Sequence, residues 1–163
     1  MDDGLQRQDH SWPDRRFRVT FGCMRKYTKD HAKAGILAPL PPIECWENQF
    51  PDFQVEITIP EYTAICPKTG LPDFGTIIVR YVPERWCLEL KSLKDYIHRY
   101  RSLGIFYENA VNRILRDLVR ACKPLRMTVR GEFSPRGGIR SVIESSYQRP
   151  PAGKSRAARR RSP

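Results

Sequence analysis

Residues 53–60 read FQVEITIP, a stretch in which apolar and polar side chains alternate. The apolar members fall on one face of an extended chain: Phe53, Val55, Ile57 and Ile59. This period of two predicts a half-buried β-strand that ends at Pro60. GTIIVRYV at residues 75–82 predicts a second strand. Residues 61–74, between the two, contain two prolines and a glycine, so a structured loop is expected there.

Two helices are predicted after these strands. Ser92 and Asp95 have the spacing of a capping box at the start of the first helix, which Gly104 ends. The second helix stops before Pro124, and its apolar side chains recur on one face. These side chains are Tyr107, Ala110, Val111, Ile114, Leu115, Leu118, Val119 and Cys122.

Two further strands are predicted at residues 126–133 and 138–146, joined through residues 134–138. The adjacent Gly137 and Gly138 are typical of a turn. The element order is therefore β-β-α-α-β-β. Because strands precede and follow a helix pair, the predicted fold class is α+β, an antiparallel sheet with two helices on one face.

Positive charge is concentrated at the two ends of this 163-residue chain, whose net charge is +11. Residues 149–163 carry six Lys and Arg and no acidic residue, whereas residues 35–148 carry fifteen against thirteen. We therefore expect a disordered extension at residues 1–25, one folded domain at residues 26–147 and a disordered basic tail at residues 148–163. Contact of the tail with nucleic acid stays open, although a solvated tail is favoured.

The composition argues against several classes of protein. No run of about 18 apolar residues indicates a membrane-spanning helix. No apolar segment of the secretory type follows the first charged residues. The five cysteines form no CxxC pair, so neither a zinc ribbon nor a disulfide framework is indicated, and reduced thiols in the cytoplasm are expected. The GxGxxG and Walker phosphate-binding motifs are absent.

The loop CPKTGLPDF at residues 66–74 contains the first candidate for chemistry. Cys66 is followed by Lys68 and, seven positions on, by Asp73. Thiolate is the nucleophilic form of cysteine, and nearby positive charge favours it. A carboxyl group in the same loop could deliver a proton. On spacing alone, a buried structural cysteine remains the alternative.

Two further segments contain candidate binding groups. Glu108 falls in the first turn of the second predicted helix, where a carboxylate complements the helix dipole. Alternatively, it accepts paired N–H donors from a ligand with a guanine-like edge. Lys91 and Lys94 lie three positions apart, so they share a helix face that could bind phosphate. The simpler alternative for the lysines is a solvated helix start.

Four motifs follow one another along the chain: CPKTGLPDFGTI at 66–77, ELKSLK at 89–94, FYENAVNRI at 106–114 and SPRGGI at 134–139. In this order they resemble the QueF family of NADPH-dependent 7-cyano-7-deazaguanine reductases, in its short single-domain form. The resemblance extends from about Lys26 to about Ile143. It implies the tunnelling fold (T-fold), assembly into ring-shaped homo-oligomers, typically two stacked pentamers, and active sites between subunits.

The resemblance also implies roles for individual residues. Cys66 is then the nucleophile and Asp73 the proton donor. The deazaguanine is held by five residues: Leu88, Glu89, Leu90, Tyr107 and Glu108. NADPH is held by three cationic residues: Lys91, Lys94 and Arg136. No metal ion is needed.

The implied reaction is reduction of the nitrile of 7-cyano-7-deazaguanine to 7-aminomethyl-7-deazaguanine. It uses two NADPH, passes through a cysteine thioimide and belongs to the biosynthesis of the tRNA modification queuosine. Three residues depart from the family's motifs. Tyr107 stands where some relatives have His, Leu71 replaces a common Gln, and Asp95 stands where Leu or Tyr is usual.

Two alternative functions belong to other classes. Enzymes similar to the cyclohydrolases share the fold but use zinc held by Cys and His, and no such ligand set is found. A zinc-independent T-fold enzyme that binds a pterin or purine stays open. A small basic RNA-binding module is disfavoured, because residues 35–148 are nearly neutral and contain no aromatic RNA-binding motif.

Overall fold

The computed structural model describes residues 27–151. In chain order the elements are α1 (Lys29–Lys33), β1 (Cys45–Glu47), β2 (Val55–Ile65), β3 (Pro72–Val82), β4 (Trp86–Leu88), α2 (Leu90–His98), a 3-10 turn (Arg99–Ser102), α3 (Tyr107–Cys122), β5 (Arg126–Arg136) and β6 (Ile139–Gln148). The predicted extension at residues 1–25 and residues 152–163 of the predicted tail lie outside the described residues.

A four-stranded antiparallel sheet with the order β2-β3-β5-β6 is the centre of the fold. Helices α2 and α3 lie in the chain between β3 and β5. Along β3, buried side chains alternate with more exposed ones, and the buried set joins the same core as the helices. The predicted α+β class with an antiparallel sheet is confirmed.

The core forms where α2 and α3 pack on this sheet. The predicted apolar face of α3 supplies six buried side chains: Ala110, Val111, Ile114, Leu115, Leu118 and Cys122. Burial of one large apolar side chain contributes about 1.5–3 kcal/mol, so this face is the main attachment of α3. Gly131 of β5 lets the helix approach closely, because a Cβ there would lie 2.7 Å from Val111 Cγ2.

The β2–β3 hairpin differs from its prediction. Pro60 does not end β2, which continues to Ile65, and β3 begins at Pro72. The pairing register shifts between Ile59 and Tyr62, so an irregularity accommodates the proline. Proline is tolerated there because β2 is an edge strand and one side of its backbone has no ladder to join. The loop therefore consists of residues 66–71 instead of the predicted 61–74.

Helix α2 begins earlier than predicted, and the capping box of Ser92 with Asp95 is wrong. The cap is Glu89, whose Oε1 accepts from Lys91 N–H at 2.7 Å and whose Oε2 accepts from Ser92 N–H at 2.6 Å. One carboxylate thus satisfies two of the four N–H groups that a helix start leaves free.

A second, two-stranded sheet pairs β1 with β4, with Trp46 opposite Cys87. The sequence pattern predicts neither strand, because three residues are too few to show a period. The pair places β4 immediately before α2 and so fixes where that helix starts.

The segment before β1 crosses helix α3. Arg113 of α3 is 6% exposed and donates from its guanidinium to Gly35 O and Ala38 O. Gly35 has a φ of 74°, and a Cβ there would lie 2.5 Å from Gly104 O. The segment is therefore pinned against the loop that leads into α3.

The start of the predicted basic tail is attached to the folded domain. Gln148 is the last residue of β6. Arg149 N–H donates to Leu125 O at 2.9 Å, and the Arg149 guanidinium is paired with Glu84. These contacts extend the folded part of the chain through Arg149.

Candidate active site

Cys66 begins the loop that joins β2 to β3. Two backbone hydrogen bonds close the loop: Cys66 N–H donates to Leu71 O and Gly70 N–H donates to Cys66 O, both at 2.9 Å. Gly70 has a φ of 71°, a backbone conformation that favours glycine. The loop therefore holds the backbone of the predicted nucleophile in one place.

The Cys66 thiol is half-buried and differs from the other cysteines of residues 27–151. Burial raises its pKa, but hydrogen bonds from the Thr69 hydroxyl and from the backbone N–H groups of Thr69 and Lys68 bring the pKa below its ordinary value. Burial raises the pKa of three other thiols: Cys45, Cys87 and Cys122. Because thiolate is the nucleophilic form, Cys66 is the thiol best prepared for attack.

Asp73 is the second residue of β3 and is 3% exposed. Its Oδ1 accepts a hydrogen bond from the Tyr107 hydroxyl at 2.8 Å and lies 2.9 Å from Arg136 Nη1. Arg136 also donates to Pro72 O. A buried carboxylate needs such partners, because a buried charge without them is strongly destabilising. Tyr107 of α3 and Arg136 of β5 are these partners for the Asp73 carboxylate.

Tyr107 packs face to face with Phe133, with 3.9 Å between the ring centroids and 18° between the planes. Burial raises the pKa of Tyr107 to about 12, and its hydrogen bond to Asp73 acts in the same direction. The phenol therefore stays protonated near neutral pH and remains a hydrogen-bond donor to Asp73.

Two backbone hydrogen bonds bring the start of α3 beside the Cys66 loop. Ile65 N–H donates to Leu103 O, and Ile105 N–H donates to Ile65 O, both at 3.0 Å. Ile65 directly precedes Cys66, and Ile105 lies just before α3. Glu108, exposed in the first turn of α3, therefore stands at the same end of the sheet, where a carboxylate also complements the helix dipole.

Tyr62 adds a buried hydroxyl that the sequence analysis misses. It is 1% exposed, and its hydroxyl has no hydrogen-bond partner among the described residues. Burial raises its pKa well above the ordinary value, as do the nearby Tyr100 and Asp73. The sequence analysis assigns Tyr62 to the predicted loop at residues 61–74. The signal that it belongs to a strand is that Tyr62 and Ala64 are buried while the residues next to them are less so.

The predicted binding residues at 88–94 begin at the other end of the sheet. Leu88 N–H donates to the Tyr81 hydroxyl at 3.1 Å, and Tyr81 stands eight residues after Asp73 in β3. At about 3.3 Å per strand residue, the spacing from Asp73 to Tyr81 corresponds to roughly 25 Å. Lys94 lies nearer the middle of the sheet, where it lines a cavity with Ile59 and Glu61 of β2.

We call the two groups the thiol end and the lysine end. The thiol end consists of Cys66, Asp73, Tyr107 and Arg136, and the lysine end consists of residues 88–94. One chain brings the members of the thiol end together. It does not bring Leu88, where the lysine end begins, to them.

Exposure varies along the lysine end. Leu88 is 3% exposed, whereas Leu90 is 60% exposed. The hydrogen bonds from the N–H groups of Ser92 and Lys91 lower the pKa of Glu89, so this cap is a carboxylate at neutral pH.

Lys91 and Lys94 are both exposed on α2. The Lys94 Nζ lies 3.6 Å from Asp95 Oδ1, an ion pair in which both side chains are more than half exposed. Exposed pairs of this kind are worth about 0–1 kcal/mol, so Lys94 can exchange Asp95 for another anion at little cost.

None of the helices between residues 27 and 151 combines the length and apolar character needed to cross a membrane. In the same part of the chain, the His, Cys, Asp and Glu side chains form no group of three or more that could hold a metal ion.

The fold has a counterpart among solved structures. The crystal structure of the archaeosine synthase QueF-Like in the apo form matches with a TM-score of 0.55 at 20% sequence identity. The match covers 60% of this chain and 96% of that one. The chain is therefore a domain of the QueF-like fold class, with a thiol and a buried carboxylate at one end of its antiparallel sheet.

Sequence comparison identifies the family. The family described as QueF-like protein matches residues 72–152. The NADPH-dependent 7-cyano-7-deazaguanine reductase of Elusimicrobium minutum is 58% identical over 124 residues, 76% of this chain and 94% of the relative. The protein of the same name from Chlorobaculum tepidum is 57% identical over 109 residues, 66% of this chain and 93% of the relative. The chain belongs to the QueF family, as its four motifs predict.

Proposed function

We propose that this protein is an NADPH-dependent oxidoreductase that converts 7-cyano-7-deazaguanine into 7-aminomethyl-7-deazaguanine, a step of queuosine biosynthesis. Relatives that share more than half of their aligned residues with this chain are named for a reductase of that nitrile. The structural observation that carries the proposal is the half-buried Cys66 thiol, with its lowered pKa, in the same hairpin as the buried Asp73.

Cys66 is the proposed nucleophile and Asp73 the proposed proton donor. The Cys66 sulfur forms a bond to the nitrile carbon, one π bond of the C≡N group breaks, and the nitrogen takes a proton from Asp73. Asp73 takes that proton from the Cys66 thiol, so the addition is balanced and leaves a thioimide on Cys66. Covalent catalysis of this kind divides one difficult reduction into easier steps.

Lys91 and Lys94 are the proposed contacts to the phosphate groups of NADPH. Their exposed ammonium groups on one helix face fit a polyanionic ligand. When bound, NADPH supplies the two hydrides that reduction of a nitrile to an amine requires. Arg136, the third predicted contact, is paired with Asp73 in this structure.

Two carboxylates are proposed to accept the adjacent N–H donors of the deazaguanine. Glu108 is exposed at the same end of the sheet as Cys66. Glu89 caps α2 through one hydrogen bond to each oxygen, which leaves the other lone pairs for a ligand. Three further residues are proposed to line the base: Leu88, Leu90 and Tyr107.

A homo-oligomer is the proposed active form. Leu88, where the lysine end begins, is roughly 25 Å from Asp73 along the sheet of one chain, so a site that uses both draws on two copies. The outer strands β2 and β6 each have one unpaired edge in the four-stranded sheet, and long edges of this kind are usually covered. Closed T-fold rings, stacked as two pentamers, would cover these edges.

The cytoplasm is the proposed location. The four cysteines of the described residues are all free thiols. Free thiols are typical of a reducing compartment.

The test of this function is NADPH oxidation with 7-cyano-7-deazaguanine, with 7-deazaguanine, which lacks the nitrile, as the matched control. We expect about two NADPH oxidised per nitrile, because the change to an amine takes two hydrides. Mass spectrometry should identify the aminomethyl product. Absence of nitrile-dependent oxidation by the assembled protein would reject the proposal.

A further inference from the structure

The Cys66 loop contains a hydroxyl, that of Thr69, which the proposed mechanism does not yet use. Thr69 lies in the turn at residues 67–69, three positions after Cys66. Its Oγ1 accepts a hydrogen bond from Leu71 N–H at 3.3 Å. Cys66 N–H donates to Leu71 O, and Gly70 N–H donates to Cys66 O, both at 2.9 Å. These bonds join the two ends of the loop and fix the Thr69 side chain relative to the nucleophile.

The Thr69 hydroxyl has a proton available for the sulfur. A threonine hydroxyl carries one proton to donate and two lone pairs, and Leu71 N–H uses one of these lone pairs. The Cys66 thiol takes hydrogen bonds from the Thr69 hydroxyl and from the backbone N–H groups of Thr69 and Lys68. Three donors of the same turn therefore converge on one sulfur. Of the three, the Thr69 hydroxyl can be removed by a side-chain substitution.

We propose that Thr69 is a further catalytic residue, whose hydroxyl donates to the Cys66 sulfur and stabilises the thiolate as the thiol proton leaves. This inference rests on the proposed function and adds a donor to its nucleophile. Hydrogen bonds to an ionised acceptor are about twice as strong as those between neutral groups, so the contact is strongest when the sulfur is charged. The hydroxyl keeps its own proton, and the proton of the thiol goes to Asp73.

The groups around the sulfur act in opposite directions. Burial of the Cys66 thiol and the negative charge of Asp73, from β3, both favour the protonated thiol. The phenol of Tyr107, from α3, is neutral near pH 7 and adds no charge. Lys68 is exposed in the loop itself, and Arg136 of β5 contacts Asp73. Because the pKa of Cys66 nevertheless lies below its ordinary value, the hydrogen bonds of the turn outweigh burial and Asp73.

Thr63 supplies a matched control in the same hairpin. It lies three positions before Cys66, whereas Thr69 lies three positions after it. Its hydroxyl donates to Glu61 O at 3.4 Å. Thr63 alternates with two buried residues of β2, so its side chain lies on the other face of the strand. Loss of this hydroxyl therefore leaves the surroundings of the sulfur unchanged.

The experiment compares Thr69→Val, which removes the hydroxyl, with Thr69→Ser, which keeps it, and with Thr63→Val. The first measurement is alkylation of Cys66 by iodoacetamide in the assembled protein, followed on its peptide across pH without substrate or NADPH. Loss of a donor to the thiolate raises the pKa of the thiol, so the midpoint should move up by roughly one pH unit in Thr69→Val. It should stay in place in Thr69→Ser and Thr63→Val. An unmoved midpoint in Thr69→Val would overturn the inference.

The alkylation rate at high pH separates loss of the hydroxyl from damage to the loop. A thiolate of higher pKa is the stronger nucleophile, so the limiting rate of Thr69→Val should equal or exceed that of the wild type. A limiting rate that falls in both Thr69→Val and Thr69→Ser would mean that Thr69 acts through the shape of the loop. That result would also overturn the inference.

The second measurement is the rate of thioimide formation on Cys66 near pH 7 without NADPH, followed by mass spectrometry. We expect Thr69→Val to slow it about three- to tenfold, because the thiolate fraction falls and the higher nucleophilicity offsets part of that loss. Thr69→Ser should restore the rate, and Thr63→Val should match the wild type. Formation at the wild-type rate in Thr69→Val would contradict the role of the hydroxyl. A wild type that alkylates normally but forms no thioimide would instead refute the proposed function.

Discussion

The thiol end and the lysine end hold their polar side chains in different ways. At the thiol end, Asp73 is 3% exposed and takes its partners from two separate elements. At the lysine end, Lys91 and Lys94 are exposed, and within residues 27–151 the ion pair of Lys94 is with its sequence neighbour Asp95. Folding of one chain therefore completes the groups proposed for bond making. The lysines proposed for binding are expected to gain their partners from a ligand or a second copy.

The largest effect should come from Cys66→Ala. Without the thiol no covalent intermediate forms, so turnover should be abolished and the substrate adduct on residue 66 should disappear. NADPH oxidation and mass spectrometry of the intact protein measure the two quantities. An active Cys66→Ala variant would contradict the proposed covalent chemistry of the thiol end.

Subunit mixing tests whether the thiol end and the lysine end of one site come from different copies of the chain. Cys66→Ala lacks the nucleophile of the thiol end, and the double variant Lys91→Gln, Lys94→Gln lacks the cations of the lysine end. If one site draws on two copies, co-refolded mixtures should be more active than the same variants mixed just before assay. Equal activity in the two mixtures would show that both ends serve a site within one chain.

Asp73→Asn should have the next largest effect. The substrate should still bind, but the thioimide should form about 10²–10⁴-fold more slowly, because a proton donor contributes that much to the rate. Stopped-flow absorbance measures the rate, and calorimetry measures binding. Asp117→Asn is the matched control, since Asp117 is also largely buried and arginine-paired but contacts Arg113 and Tyr96. Adduct formation at the wild-type rate in Asp73→Asn would remove its assigned role.

Glu108→Ala should act on binding more than on rate. The N–H donors of the base would lose their acceptor, at a cost of about 1–3 kcal/mol. Substrate affinity should therefore fall roughly tenfold to a hundredfold in calorimetry. Glu144→Ala removes an exposed carboxylate from the sheet and serves as the control. Unchanged affinity in Glu108→Ala would show that the base lies elsewhere.

Tyr62→Phe should have the smallest effect on the folded protein. A buried hydroxyl without a partner is unfavourable, so its removal should leave the free energy of unfolding unchanged or raise it by up to about 1 kcal/mol. Urea unfolding of the two proteins at one concentration measures the difference. A clear loss of stability would mean that the hydroxyl has a partner in the assembled protein.

The predictable part of the fold is the part with a local pattern. Period-two alternation predicts β2, runs between turn residues predict the other three long strands, and the apolar face of α3 predicts the buried side of that helix. Pro60 misleads because the tolerance of an edge strand for proline depends on which strand is outermost. Glu89 is missed as the cap of α2 because it falls outside the assumed helix start.

In the site, too, sequence analysis finds residues that are close together in the chain and misses contacts between residues that are far apart. The Cys66 loop places Cys66 and Asp73 in one hairpin, and the sequence analysis selects both. The pairing of Arg136 with Asp73 joins residues far apart in the chain, and no spacing rule reports it. Motif order also gives no distance, so the roughly 25 Å between Asp73 and the start of the lysine end becomes visible only along the folded strand.

Hydrogen exchange at the two amides that Glu89 caps should report ligand binding at the lysine end. Its carboxylate accepts hydrogen bonds from the Lys91 and Ser92 amides at 2.7 Å and 2.6 Å and keeps further lone pairs for a ligand. A base that binds those lone pairs, as proposed, would hold the carboxylate in place, and opening of the helix start would then require loss of the base. Occupancy is thereby coupled to local unfolding, and deuterium uptake at these two amides should slow as the base is titrated in.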